Sequence, residues 1–277
     1  MEIIDLIKYA LEEDFRDLGD ITTDAVISSS LEGTASLVAK EDGILCGSSI
    51  FSMTFLEIDK NCLVDFCYKD GDEICKGDIV AIIKGSLASI LKAERTALNF
   101  IQRLSGIATK TNKIVSMLKN SNIKLLDTRK TTPCLRNLEK YAVKTGNGVN
   151  HRMGLYDMFM IKDNHIATAG SITKAVSLVL DYKKNKNIDA KIEVEVKNIE
   201  ELKEAIALDI DIIMLDNMSN EEIRRAVLVN NKNKKLEVSG NITEERIREL
   251  SLIEIDFISM GSLTHSYNSF DFSLLVD

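Results

Sequence analysis

The feature that most constrains this chain is a short apolar run that ends in polar residues, repeated five times in its second half. Most of these runs are followed by a helical stretch, which is the pattern of successive βα units in an α/β barrel. The runs start near residues 158, 191, 211, 235 and 256. Because barrel active sites are assembled at the carboxyl ends of the strands, the polar residues after each run are the first candidates for chemistry.

Composition narrows the class of protein. A chain of 277 residues with 45% hydrophobic residues can form one large globular domain or two modest ones. A net charge of -8 argues against generic nucleic-acid binding. Stretches of about 20 apolar residues are missing, and the acidic start lacks the pattern of a signal peptide. Five cysteines without a CxxC pair indicate reduced thiols, so we expect a cytoplasmic protein that binds no membrane.

The chain is predicted to divide in two. Residues 3–15 have helical periodicity, residues 34–83 contain short strands separated by Asp-Gly and Lys-Gly turns, and residues 88–118 form a long helical region with a possible break at Gly106. We therefore expect an N-terminal domain with its linking helix over residues 1–105, a barrel over 106–265, and a C-terminal tail over 266–277 that packs back on the N-terminal domain.

Positive charge is concentrated at the start of the expected barrel. Residues 124–165 hold eight lysines and arginines against four acidic residues. Within them, Arg129 and Lys130 follow a predicted strand and precede a Thr-Thr-Pro turn, and His151 and Arg152 end a glycine-rich loop. Arginine offers a planar fork to carboxylates and phosphates, and lysine a compact charge. A solvated basic face is the ordinary alternative, but positions at strand ends and in loops favour a pocket for a small anion.

Carboxylates and small residues end the later strands. Glu193 and Glu195 lie on one face of a predicted strand, where they would either line the barrel or form an internal salt bridge, for example to Lys162. Asp216 ends the next strand, and carboxylates at successive strand ends suit Mg²⁺ or ribose hydroxyls. Loops after the last strands of a barrel commonly bind phosphate. Candidates there are Ser239, Gly240, Gly261, Ser262 and His265.

Together these residues resemble one family, quinolinate phosphoribosyltransferase, also called nicotinate-nucleotide pyrophosphorylase (carboxylating). The resemblance spans nearly the whole chain. Its ordered motifs include residues 20–24, 94–99, 127–133, 151–157, 162–165, 193–196, 215–218, 239–240 and 261–265. One position departs from the pattern, because Cys134 stands after Thr-Thr-Pro where the family usually has glycine. This change would stiffen the turn or alter access to it without touching an ionic residue.

The resemblance implies an α/β fold, with an N-terminal α/β sandwich domain and an incomplete α/β barrel of the seven-stranded type, in a homodimer or a higher assembly. It implies that phosphoribosyl pyrophosphate and quinolinate react, with Mg²⁺ as cofactor, to nicotinate mononucleotide, pyrophosphate and CO₂ in NAD biosynthesis. The implied catalytic residues are Lys130, Glu195 and Asp216, of which the two carboxylates would also serve the metal. The implied substrate-binding residues are Arg129, His151, Arg152 and Lys162 for the quinolinate carboxylates, Arg95 from the partner subunit, and Ser239, Gly240, Gly261, Ser262 and His265 for the 5′-phosphate.

Two alternatives stay open at this stage. A relative with the same fold could act on another base, as the molybdenum-transport-associated paralogues do. Residues 69–78 also resemble the turn pattern of biotinyl or lipoyl carrier domains, which would make the chain a non-catalytic carrier or metabolite-binding protein. That second resemblance is weak, because the pattern lacks a lysine flanked by methionines at a hairpin tip and requires only a compact β domain.

Overall fold

The computed structural model describes residues 2–28, 30–118 and 121–276 of the chain. The chain forms two compact units. The first contains residues 1–112, 141–147 and 266–277, and the second contains residues 113–140 and 148–265. The expected class, an α/β fold with a small N-terminal domain and a domain built on a parallel sheet, is confirmed.

An antiparallel sheet forms the centre of the first unit. Its four strands are arranged in the order β12-β1-β5-β3. They are β1 (Glu32–Ala39), β3 (Leu63–Phe66), β5 (Ile79–Ser86) and β12 (Phe272–Val276), and the two-residue strands β2 (Gly43–Ile44) and β4 (Glu73–Ile74) pair separately. Along β1, Ala35, Leu37 and Ala39 are fully buried and alternate with partly buried residues, as expected of a strand with one face on a core.

Four helices belong to this half of the chain. They are α1 (Ile3–Phe15), α2 (Ile21–Val26), α3 (Ser48–Ile58) and α4 (Leu87–Met117). Helix α3 was not predicted, because the sequence around it was assigned to short strands. Its buried residues Ile50, Phe51, Thr54 and Phe55 follow helical spacing, and Phe51 and Phe55 pack with ring centroids 5.0 Å apart. The predicted helix over residues 3–15 is confirmed as α1.

The expected break at Gly106 is wrong, because α4 continues through this position for 31 residues in all. Glycine is required here for close approach of the C-terminal segment. A Cβ atom on Gly106 would lie 2.0 Å from the carbonyl oxygen of Asn268, and the N–H of Phe270 donates to the carbonyl of Gln102 at 2.9 Å. The missing side chain therefore lets residues 268–270 lie directly against the helix.

We expect Gly106→Ala to destabilise the protein although alanine has the higher helix propensity. The added methyl group would overlap backbone atoms that cannot move aside as a flexible side chain can. The free energy of unfolding, measured by urea denaturation, should fall by about 1–3 kcal/mol. A rise in stability for Gly106→Ala would contradict the close approach.

A parallel sheet of six strands forms the centre of the second unit, in the order β6-β11-β10-β9-β8-β7. The strands are β6 (Lys124–Leu126), β7 (Met158–Ile161), β8 (Lys191–Val196), β9 (Ile212–Asp216), β10 (Lys235–Ser239) and β11 (Phe257–Ser259). These bounds confirm the predicted strand starts. Where a seven-stranded barrel was expected, the residues described here give six strands and a single bridge of Val149 to Leu126 in β6.

Helices follow the strands as the βα pattern predicts. They are α5 (Arg136–Thr145), α6 (Asp163–Ala169), α7 (Ile172–Lys186), α8 (Ile199–Ile206), α9 (Asn220–Asn230), α10 (Glu244–Leu250) and α11 (Ser262–His265). Side chains cap the N-termini of three of these helices. Asn198, Ser219 and Thr243 each accept a backbone N–H in the first turn of α8, α9 and α10, and Ser219 forms a capping box with Glu222. Among the described residues, no helix is both long and apolar enough to cross a membrane.

Candidate active site

The carboxyl ends of the parallel strands open onto a cavity of about 650 Å³ in the second unit. Twelve of the thirteen residues predicted for the site line this cavity. They are Arg129, Lys130, His151, Arg152, Lys162, Glu195, Asp216, Ser239, Gly240, Gly261, Ser262 and His265. The thirteenth, Arg95, belongs to the first unit and is exposed on α4. The strand ends thus bring together residues that are up to 136 positions apart in sequence (from Arg129 to His265).

A buried ion pair fixes the loop that carries His151. Asp127, the residue after β6, and Lys140 on α5 form a salt bridge with both side chains fully buried. The backbone N–H of His151 donates to Asp127 Oδ1 at 2.9 Å, and Lys140 Nζ donates to the His151 carbonyl at 3.0 Å. Burial raises the pKa of Asp127 and lowers that of Lys140, and their mutual hydrogen bond opposes both shifts.

The side chain of His151 is held as firmly as its backbone. Its Nδ1 accepts the N–H of Arg152 at 2.7 Å, and its Nε2 lies 3.1 Å from Glu193 Oε2 and 3.3 Å from Glu237 Oε2. Both carboxylates are fully buried. The ring therefore has one nitrogen directed at a backbone donor and the other at two acids.

The two acids strongly affect proton binding in this cluster. Burial by itself would lower the pKa of His151, but the interactions with the buried carboxylates of Glu193 and Glu237 outweigh it and raise that pKa. Burial, with the charge of Glu237, raises the pKa of Glu193 to about 7. A proton on Nδ1 of His151 would break the hydrogen bond from the Arg152 N–H, so we assign the proton that the carboxylates stabilise to Nε2.

Glu237 is a charged cavity residue that the sequence interpretation missed. It lines the cavity and lies beside His151, although no role was predicted for it. The available signal was the alternation Leu236-Glu237-Val238 within β10, which is the same pattern that drew attention to Glu193 and Glu195 in β8. A glutamate between two buried apolar residues of a parallel strand points into the barrel.

Cations and carboxylates alternate around the cavity. Lys162 Nζ lies 2.7 Å from Glu195 Oε2, which is the internal salt bridge weighed from the sequence. Burial, followed by the charge of Arg129, lowers the pKa of Arg152, whereas the negative charge of Glu193 acts in the opposite direction. Asp216 accepts a hydrogen bond from the Asn217 side chain at 2.8 Å. The strong positive charges are therefore partly balanced within the protein.

The loops after β9 and β10 are tied together. Arg246 on α10 donates to the carbonyl of Gly240 at 2.7 Å and also to that of Met218, and Asn241 donates to Asn217 Oδ1 at 3.1 Å. Gly240 has a φ of 91°, and a Cβ atom there would lie 2.2 Å from Asn217 Oδ1. Only glycine fits this position without moving the neighbouring loop.

Cys134 occupies a position at which the backbone favours glycine. Its φ of 66° lies in the left-handed region, and its side chain is exposed in the turn between β6 and α5. An L-residue other than glycine is strained there by about 1 kcal/mol. This agrees with the resemblance noted from the sequence, which led us to expect glycine after Thr-Thr-Pro.

Comparison with known proteins identifies the family. The model of the quinolinate phosphoribosyl transferase C-terminal domain matches residues 107–275, and that of the N-terminal domain matches residues 20–105. The chain belongs to the quinolinate phosphoribosyltransferase family.

Individual relatives resemble the chain over nearly its full length. The probable nicotinate-nucleotide pyrophosphorylase (carboxylating) of Bacillus subtilis is 44% identical to this chain. The match covers 93% of this chain and 89% of the Bacillus protein. The crystal structure of NadC from Streptococcus pyogenes has 44% identity and a TM-score of 0.93, covering 98% of this chain and 95% of that one. The structure of the nicotinate-nucleotide pyrophosphorylase from Francisella tularensis has 42% identity and a TM-score of 0.94. The match covers 99% of this chain and 96% of that one. The resemblance stated from the motifs is thereby confirmed.

The buried ion pair gives a testable prediction. Lys140→Met should lower the free energy of unfolding by about 3–5 kcal/mol, because it leaves the Asp127 charge buried without its cation. The double variant Asp127→Asn/Lys140→Met should recover much of this loss, since asparagine keeps an oxygen for the His151 N–H. Urea denaturation of the wild type, both single variants and the double variant measures the coupling. Additive losses would show that the two side chains do not depend on each other.

Proposed function

We propose that the cavity transfers the phosphoribosyl group of phosphoribosyl pyrophosphate to the ring nitrogen of quinolinate. Pyrophosphate and CO₂ leave, and nicotinate mononucleotide is formed for NAD biosynthesis. The observation that carries this proposal is the composition of one cavity, in which cations for a dicarboxylate, two strand-end carboxylates and two glycine-serine loops face one another. The family to which the chain belongs supports the same reaction.

Positive side chains at one part of the cavity suit quinolinate. Arg129, Arg152 and Lys162 would bind its two carboxylates, with His151 beside them and Lys130 near a carboxylate or the pyrophosphate. Charge-assisted hydrogen bonds from guanidinium groups are strong and fix the plane of a carboxylate. Such contacts would hold the ring nitrogen towards the ribose, so that catalysis relies mainly on position and electrostatics.

Glu195 and Asp216 provide the negative charge that the ribose requires. As the bond to pyrophosphate breaks, positive charge develops on the ribose, and carboxylates at the ends of β8 and β9 would stabilise it. Proteins also commonly bind Mg²⁺ through one or two carboxylates, with substrate phosphates as further ligands. We assign Glu195 and Asp216 to Mg²⁺ bound with pyrophosphate, where the ion would neutralise the leaving group.

The loops after β10 and β11 suit the 5′-phosphate. Ser239, Gly240, Gly261, Ser262 and His265 lie together at the cavity wall, and Gly240 is fixed by Arg246 and Asn217. Small residues let a phosphate approach the backbone, and serine adds a hydroxyl donor. Phosphate sites after the last strands are common in α/β barrels.

We assign the working assembly to a homodimer in which Arg95 of each subunit completes the partner's site. Arg95 is exposed on α4, in a helix that is otherwise largely buried. We also assign the protein to the cytoplasm, which is consistent with its five unpaired cysteines, three of them exposed.

The reaction is tested by incubating the purified protein with quinolinate, phosphoribosyl pyrophosphate and Mg²⁺. We expect nicotinate mononucleotide and one CO₂ per pyrophosphate released. Parallel assays with nicotinate, nicotinamide and other heterocyclic bases separate this reaction from that of a relative with another base. Turnover of another base in preference to quinolinate would overturn the proposal.

Arg152→Ala should chiefly weaken quinolinate binding. Loss of a charge-assisted contact costs on the order of 2–3 kcal/mol, which corresponds to a roughly 30- to 150-fold rise in the dissociation constant. Calorimetric titration with quinolinate measures this directly. Arg224→Ala removes an exposed arginine from α9 and serves as the control. Unchanged affinity in Arg152→Ala would exclude the role.

Arg95→Ala and Lys130→Ala should each be nearly inactive, yet a mixture should recover activity. A hybrid dimer has one site with an intact barrel and the partner's intact Arg95. After subunit exchange, random association should restore up to about a quarter of the wild-type activity. Mixing Lys130→Ala with Asp216→Asn is the control, because both changes lie in the barrel and each hybrid site keeps one defect. Lack of recovery despite hybrid formation, shown by differently tagged chains, would place Arg95 in its own subunit's site or in none.

A further inference from the structure

Beside the cavity lies a buried acidic pair for which the proposed reaction has no role. Glu193 on β8 and Glu237 on β10 have fully buried side chains, and His151 Nε2 lies between 3 and 3.5 Å from one oxygen of each. The three groups have ligand atoms within 4.8 Å of one another. The pair is therefore built around one histidine.

This arrangement is unfavourable for stability. Among the described residues, neither oxygen of either carboxylate has a partner with hydrogen-bond geometry, and Nε2 of His151 also lacks one. The attraction between the ring and the two acids is consequently electrostatic and divided between them. Buried carboxylates without hydrogen bonds cost several kcal/mol, and apolar residues of similar volume would suit the core better. A cost of this kind beside a cavity points to a functional requirement.

Every hydrogen-bonding group of His151 faces another group of the protein. Its N–H and carbonyl face Asp127 and Lys140, Nε2 faces the acidic pair, and Nδ1 accepts the N–H of Arg152. Because Nδ1 acts as an acceptor, the ring must carry its proton on Nε2. That proton is the one the acidic pair attracts, so the pair selects the tautomer that can orient Arg152.

We infer that Glu193 and Glu237 are positioning residues, which hold the His151 ring so that its Nδ1 fixes the backbone at Arg152 and thereby the place of the Arg152 guanidinium in the cavity. This inference deepens the proposed function and rests on it. His151 then contributes to quinolinate binding through Arg152 and not through a ring nitrogen. Glu193 has a second effect, because its charge also attracts Arg152 directly.

Substitution at Glu237 separates positioning from stability. Glu237→Gln keeps an oxygen for the Nε2 proton but removes the charge, and Glu237→Leu removes both. We expect the KM for quinolinate to rise roughly tenfold or more in Glu237→Leu and less in Glu237→Gln, since a small misplacement of a binding group has large kinetic effects. The KM for phosphoribosyl pyrophosphate should stay unchanged in both variants. The unfolding midpoint in urea should not fall in either of them. Glu254→Gln makes the same chemical change at an exposed carboxylate and should leave all values unchanged.

Coupling to Arg152 tests the proposed route of action. If Glu237 acts through Arg152, Glu237→Leu should raise the KM for quinolinate little further in an Arg152→Ala background. Multiplicative effects would show that Glu237 acts independently of Arg152 and would overturn the inference. A drop in the unfolding midpoint that parallels the loss of activity would assign the pair a structural role and would overturn it as well.

The tautomer of His151 gives a readout independent of turnover. The chain has three histidines, so ¹⁵N-histidine labelling and His151→Gln identify the resonances of His151. We expect a protonated Nε2 and an unprotonated Nδ1 in the wild type, with this preference weakened in Glu237→Leu. If the wild type shows this pattern but makes no nicotinate mononucleotide, the proposed function fails while the placement of His151 stands. A protonated Nδ1, or a tightly bound metal ion that is lost in Glu237→Leu, would overturn the inference.

Discussion

The arrangement of the site depends on the buried ion pair of Asp127 and Lys140. Asp127 is the first residue after β6, and Arg129 and Lys130 follow it by two and three residues. The position of Asp127 therefore determines where the chain carrying these two cations begins. The same two side chains bind the N–H and the carbonyl of His151, which fixes the glycine-rich loop against β6. A buried pair adds little net stability because desolvation offsets the attraction. Its value here is geometric, since it joins two cavity segments more than twenty residues apart.

The parallel sheet brings the remaining cavity residues together. Six strands that run in the same direction place their carboxyl ends on one edge, and residues from β6 to β11 meet there although they are distant in sequence. Along each strand, every second side chain points to the same face of the sheet, so residues two positions apart share that face. Glu193 and Glu237 are fully buried, whereas Glu195 and Ser239, two residues later on the same strands, are slightly more exposed and line the cavity. The alternation of side chains along a strand thus produces both the buried acids and the groups that line the cavity.

Much of this architecture could be read from the sequence, and the misses have physical causes. The strand starts and the caps at Asn198, Ser219 and Thr243 were predictable because they depend on local pattern. Helix α3 was missed because its apolar residues lie between strand-like stretches and its burial depends on the first unit's core. Gly106 looked like a helix break because local propensity says nothing of the segment that packs against it.

The site shows the same division. Residues with unusual chemistry at strand ends were found, because Arg, Lys, Asp and Gly-Ser pairs are conspicuous after apolar runs. Glu237 was passed over because a single glutamate within a strand looks like a solvent-facing residue, and only the packing of the parallel sheet shows that it is buried. Its relation to His151 is a contact between β10 and a loop over eighty residues earlier, which periodicity within either segment cannot reveal.

The charge pattern bears on which substrate the cavity can accept. Arg129, Arg152 and Lys162 would repel one another in an empty site, and the repulsion is offset by Glu195 against Lys162 and by Glu193 near Arg152. A monocarboxylate would have to compete with these internal acids for one cation. A dicarboxylate brings two charges to several cations at once, and its second contact forms without a further loss of rotational freedom. In the proposed quinolinate site, these internal carboxylates would thus do more than balance charge, because they would make a dianion bind better than a singly charged analogue.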